Sequence, residues 1–143
     1  MTTWVVDASV VVKWALLGQD GEAHQAQALA LLYEIRQGNC QVLQPPHWLA
    51  EVAAVLSRVA PTQSIGLLQV FLAMELPLTT EWDVYEDACR LAVNLNHHFF
   101  DTLYHAVALQ SSDTVLITAD TQYFRKAATL GHIMELKSYP LPG

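Results

Sequence analysis

Short apolar runs alternate along the chain with longer segments of helical period. The runs TWVV (residues 3 to 6), QVLQ (41 to 44), ELPLT (75 to 79), TVLIT (114 to 118) and HIMEL (132 to 136) read as strands. Between them, EAHQAQALALLYEIRQG repeats apolar residues at helical spacing and closes on Gly38, while PPHWLAEVAAVLSRVAP carries prolines suited to a helix start and Pro61 beyond its end. EWDVYEDACRLAVNLN, DTLYHAVALQ and TQYFRKAATLG, which stops at Gly131, complete the helical set. Strands alternating with helices predict an α/β fold: a single-domain three-layer α/β/α arrangement around a central parallel sheet. No linker, repeat or low-complexity stretch divides residues 1 to 143, so one domain is expected.

One position breaks the pattern. In TWVVDASVVVKWALL, Asp7 interrupts an otherwise apolar run. A carboxylate buried alone is neutralised or costs several kcal/mol, so a partner must come from elsewhere in the chain. Open parallel sheets bind ligands beyond the carboxyl ends of their strands. Asp7 follows the first strand directly, and Asp120 follows TVLIT after one residue, so the two carboxylates meet if those strands are neighbours. Taken singly, Asp7, Asp101 and Asp120 each precede a helical segment and suit a helix N-cap. Glu51 lies about 40° from Val55 on a helical wheel, at the flank of the apolar sector containing Trp48, Val52 and Leu56. It is either a ligand at the core edge or a boundary residue reaching water.

Charge sharpens this reading. The formal net charge is −7, from 14 acidic and 7 basic residues, which excludes a broad basic face that grips nucleic acid by counterion release. Only Lys13, Arg125 and Lys126 lie near any of these aspartates in sequence. Converging carboxylates without cationic partners repel one another, and a bound hard divalent ion, Mg²⁺ or Mn²⁺, resolves the repulsion. Cys40 and Cys89 lie far apart without metal-ligand spacing and read as reduced core residues of a cytoplasmic protein. The N-terminus has no basic export region, and no stretch reaches the roughly 18 uncharged residues of a membrane span.

Four motifs in order, VVDAS, LAEVAAVL, FFDTLYHAVAL and LITADTQYF, resemble the acidic motifs of PIN-domain ribonucleases, most closely the VapC-type toxins of toxin-antitoxin systems. The resemblance spans nearly the whole chain. It implies metal-dependent hydrolysis of RNA, with Asp7, Glu51, Asp101 and Asp120 holding Mg²⁺ or Mn²⁺ and Glu51 able to orient or deprotonate the attacking water. It further implies products with a 5′-phosphate and a 3′-hydroxyl, a homodimer, and a small antitoxin whose C-terminal segment occupies the site. Ser9 and Thr118 match hydroxyl positions that support the ligands or their waters. His105 stands where the family usually has an apolar residue, one helical turn from Asp101, where it could bond that acid, join the metal, contact RNA or simply lie buried. The adjacent His97 and His98 read as a solvated loop, because no second His or Cys pair has zinc spacing.

Setting the four acids aside changes the formal charge from −7 to −3, which softens the acidity for an RNA enzyme. Trp14 and Trp48 read as core residues, or alternatively as part of a groove for an amphipathic antitoxin helix. Other classes fit less well. A receiver-type phosphoacceptor needs an early acidic pair, and a dehalogenase-like phosphatase needs an aspartate where Ser9 stands. A PIN-like protein that binds a partner or RNA without turnover, or a PIN nuclease in housekeeping RNA processing, remains the main alternative.

Overall fold

A computed structural model describes residues 1 to 19 and 22 to 143 of the chain. Its centre is a four-stranded sheet made of β1 (Thr3–Val6), β2 (Gln41–Val42), β3 (Thr114–Thr118) and β4 (Ile133–Glu135), in the order β2-β1-β3-β4. Every pairing is parallel, with Val5 opposite Leu116 and Val6 opposite Ile117. Val5 and Val6 point to opposite faces and both are fully buried, so both faces of β1 are covered. The expected α/β architecture with a central parallel sheet is observed.

The helices are α1 (Ala8–Ala15), α2 (Gln25–Arg36), α3 (Trp48–Val59), α4 (Ser64–Ala73), α5 (Trp82–Leu95), α6 (Phe99–Ala108) and α7 (Thr121–Ala127). α1 contains three consecutive valines, which are mediocre helix formers. Burial overrides propensity here: Val10 and Val11 are wholly enclosed, each worth about 1.5–3 kcal/mol of transfer free energy. In α3, Trp48, Val52 and Leu56 recur every fourth residue and form its buried stripe. α6 is central, packed against β1, β3 and α5, and is buried from Thr102 to Ala108. Thr102, buried within it, has an internal partner, its hydroxyl donating to the Ala88 carbonyl at 2.8 Å.

Several expectations change. Residues 75 to 79 form no strand; Leu78 makes only an isolated parallel bridge to Gln44. Glu75 has a left-handed φ of 50°, and Pro77 has no N–H to give a ladder. β2 is likewise shorter than QVLQ, because the buried Gln44 side chain takes over its role. Gln44 Oε1 accepts from Val6 N at 2.7 Å, and Gln44 Nε2 donates to Val6 O at 2.8 Å. α4 was not expected, since its apolar residues surround the helix: Phe71 is buried while Ile65, Val70 and Leu72 are exposed. Trp14 and Trp48 are core residues, the Trp14 indole donating to the Ala28 carbonyl at 2.8 Å, so neither forms an open groove. Cys40 and Cys89 are free, but Cys89 is exposed on α5 instead of lying in the core. No helix among the described residues is long and apolar enough to cross a membrane.

Candidate active site

Asp7 and Asp120 occupy equivalent junctions. Each leaves the carboxyl end of a central strand in extended conformation and caps the helix that follows. Asp7 Oδ2 accepts from the Ser9 amide at 3.1 Å and from the Ser9 hydroxyl, which leaves Oδ1 outside those bonds. Asp120 Oδ1 accepts from Tyr123 N at 3.1 Å, leaving Oδ2 likewise. Capping and ligation are thus compatible at these positions, one carboxylate oxygen serving each. The expected hydroxyls brace the junctions: Ser9 Oγ accepts from Ala119 N at 3.0 Å, tying the end of β3 to the start of α1, and Thr118 Oγ1 accepts from Asp120 N at 3.0 Å.

Asp101 is not an N-cap. His98 holds that position, its Nδ1 accepting from Phe100 N at 3.1 Å, and Asp101 lies in the first turn of α6. Glu51 sits in the first turn of α3. All four acids line one cleft of about 460 Å³ at the carboxyl end of the sheet, with Ser9 and His47 beside them and Ala50, Ala54, Val55 and Phe100 forming an apolar wall. No Lys or Arg is among the described residues lining it. Lys13, in the helix that Asp7 caps, is committed elsewhere, 2.7 Å from Glu22.

Electrostatics follow from this crowding. Burial pushes the Asp7 carboxyl up to about 6; the Ser9 bonds oppose that rise, and the charges of Asp101 and Glu51 add to it. Asp101 is also raised, chiefly by burial, against the lowering influence of His97. For Glu51 burial is the largest single influence and raises its pKa, but His47, Tyr104 and His98 together outweigh it, so the carboxyl lies below its ordinary value.

Three buried polar atoms in this region have no well-formed hydrogen bond: Glu51 Oε1, His47 Nδ1 and the Tyr104 hydroxyl. His47 Nε2 lies 3.3 Å from Glu51 Oε1, but its N–H donates to the Phe100 carbonyl at 2.9 Å. The Tyr104 phenol is raised first by burial and then by the neighbouring Asp7 and Glu51 charges. Clustered carboxylate oxygens, one of them buried without a well-formed hydrogen bond, with no Lys or Arg among the described lining residues, form a donor set that fits a hard divalent ion.

His105 takes the last of its alternatives, and His97 departs from expectation. His105 is fully buried and does not bond Asp101; its Nε2–H donates to the Gly131 carbonyl at 2.8 Å, and its Nδ1 accepts from the Tyr123 hydroxyl at 2.9 Å. Burial lowers its pKa, so it stands as a neutral structural group behind the cleft. His97, read as part of a solvated loop, is nearly buried and lies with Nε2 2.7 Å from Asp101 Oδ2. Ligand atoms of His97, Asp101 and Asp120 all fall within 4.8 Å of one another. A signal was available: histidine stands four residues before an acid twice, as His47 before Glu51 and His97 before Asp101.

The chain belongs to the PIN-domain family, whose model matches residues 4–130. No curated protein matches it. Among solved structures, similarity extends to VapC20 of Mycobacterium tuberculosis, described as a sarcin-ricin loop cleaving toxin. That match has a TM-score of 0.61 at 19% identity, covering 85% of this chain and 94% of the other. VapBC-1 of nontypeable Haemophilus influenzae superposes with a TM-score of 0.66 at 14% identity, covering 96% of this chain and 100% of the other. PAE2754 of Pyrobaculum aerophilum gives 0.61 at 20% identity, covering 96% and 91%.

Proposed function

We propose that this protein is a Mg²⁺- or Mn²⁺-dependent ribonuclease acting as the toxin of a toxin-antitoxin pair. The observation that carries the reading is the convergence of Asp7, Glu51, Asp101 and Asp120, from four separate elements, in one cleft lined by no Lys or Arg among the described residues. PIN-family membership and the fold shared with VapC20 and VapBC-1 support the nuclease and toxin parts.

Asp7, Asp101 and Asp120 would hold one or two ions, with Glu51 as a further ligand or as the base. When bound, such an ion stabilises negative charge on a phosphodiester oxygen and makes a water more acidic. Glu51, kept ionised by its surroundings, would orient a water or take its proton. Ser9 and Thr118 fix the backbone at the strand ends, so the acids hold their positions without substrate. The apolar wall of Ala50, Ala54, Val55 and Phe100 gives a sugar or base somewhere to lie beside the reacting phosphate. The family resemblance implies hydrolysis that leaves a 5′-phosphate and a 3′-hydroxyl.

An acidic, apolar-walled cleft also suits a Lys or Arg on an antitoxin tail, which would compete with the ion. A homodimer in the cytoplasm completes the proposal. The test incubates purified protein with structured RNA in Mn²⁺ and in EDTA, and maps the product ends. Cleavage in Mn²⁺ alone, with 5′-phosphate ends, supports the reading; RNA bound but uncut under all conditions identifies a non-catalytic PIN-like protein.

A further inference from the structure

Resting on the reading that the acids hold a divalent ion, we propose that His97 supplies a nitrogen ligand to it, giving the site a preference for Mn²⁺ over Mg²⁺. The His97, Asp101 and Asp120 ligand atoms lie within 4.8 Å of one another, and His97 Nε2 is 2.7 Å from Asp101 Oδ2. Around an octahedral ion with bonds of about 2.1 Å, neighbouring donors sit about 3.0 Å apart and opposite ones about 4.2 Å. The three groups lie within 4.8 Å, somewhat wider than that shell, so ligation would draw the side chains inward.

The ring is held for this task. Its side chain is only 10% exposed, and it stands edge-on to Tyr123 with centroids 4.9 Å apart. Tyr123 is fixed in turn by its hydroxyl, which donates to His105, itself anchored on Gly131. His47 has the same spacing from Glu51, but its Nε2–H is spent on the Phe100 carbonyl and it is not in the cluster. Ligation needs the His97 tautomer with its proton on Nδ1, so that the Nε2 lone pair faces the ion in place of its hydrogen bond to Asp101. Imidazole nitrogen suits transition ions, whereas Mg²⁺ takes oxygen donors and gives up its waters reluctantly, so a nitrogen donor in the shell shifts preference toward Mn²⁺.

The test is pulsed EPR of Mn²⁺ bound to the full chain, with Kd values for Mn²⁺ and Mg²⁺ measured alongside. Wild type should show ¹⁴N coupling to Mn²⁺ that persists in His47→Gln and disappears in His97→Gln, whose amide can still donate to Asp101. Mn²⁺ affinity in His97→Gln should fall about tenfold or more, and Mg²⁺ affinity far less. Mn²⁺ bound through Asp101 and Asp120 without nitrogen coupling, or coupling retained in His97→Gln, overturns the role of His97 and leaves the acidic site standing. Absence of Mn²⁺ binding, or binding unaffected by Asp101→Asn and Asp120→Asn, overturns both. The wild-type spectrum decides the matter even if the His97 variant folds poorly.

Discussion

Replacing Asp7 by Asn tests the physics of the cleft without any RNA. Burial pushes the native carboxyl up to about 6 from 3.8 for the free side chain, a difference worth roughly 3 kcal/mol at 1.36 kcal/mol per unit. The native state therefore binds this proton more tightly than the unfolded chain. Stability from the group is present below pH 3.8 and lost as the pH rises to about 6. Asparagine never carries the charge, and it caps a helix about as well as aspartate. Allowing for weaker Ser9 bonds to a neutral oxygen, the metal-free variant should be more stable by about 1–2 kcal/mol at pH 7.5, or roughly 3–6 °C in Tm. Thermal melts in EDTA across pH 4 to 8 provide the assay. The gap should open between pH 4 and 6 and then stay level. Added Mn²⁺ should stabilise wild type by up to about 2.7 kcal/mol at a hundredfold excess over Kd, and the variant much less. A variant that melts below wild type at pH 7.5, a gap independent of pH, or equal Mn²⁺ shifts would show that Asp7 is a helix cap outside the metal site.

Other perturbations separate structure from chemistry. Glu51→Gln, Asp101→Asn and Asp120→Asn should each cut Mn²⁺-dependent cleavage at least about a hundredfold with the circular dichroism spectrum unchanged; near-normal rates in any two would dissolve the site. His105→Leu removes the partners of the buried Tyr123 hydroxyl and the Gly131 carbonyl and should lower unfolding free energy in urea by about 2–3 kcal/mol; an unchanged midpoint would contradict its structural role. Gln44→Leu strips both hydrogen bonds from Val6 and should destabilise by about 2–4 kcal/mol, read by the same titration.

What the sequence disclosed about this site follows from locality. Asp7 and Asp120 were legible because each lies within two residues of a strand's end, and strand ends in a parallel sheet face one edge. Glu51 was legible from its place beside an apolar helical stripe. Asp101 was legible as an acid at a helix start, but its freedom from capping depends on His98, a less usual cap. His97 was missed because its meaning depends on the turn at Asn96, whose left-handed φ of 49° ends α5 and brings the imidazole back over Asp101. His105 lies one turn beyond Asp101, yet α6 is buried on all sides there and its ring meets Tyr123 and Gly131 instead. α4 escaped for the opposite reason, since uniform apolarity carries no period. The 75 to 79 segment has a strand-like composition, but Pro77 and the turn at Glu75 leave it a single bridge.

The most direct test of a shared cation site is a crystal of the protein soaked in Mn²⁺, examined for anomalous scattering. An anomalous peak should lie in the cleft between Asp7, Asp101 and Asp120, within coordination distance of at least two of these carboxylates, and should vanish in Asp120→Asn. A cleft without a peak at saturating Mn²⁺, or a peak unchanged in that variant, would contradict the account.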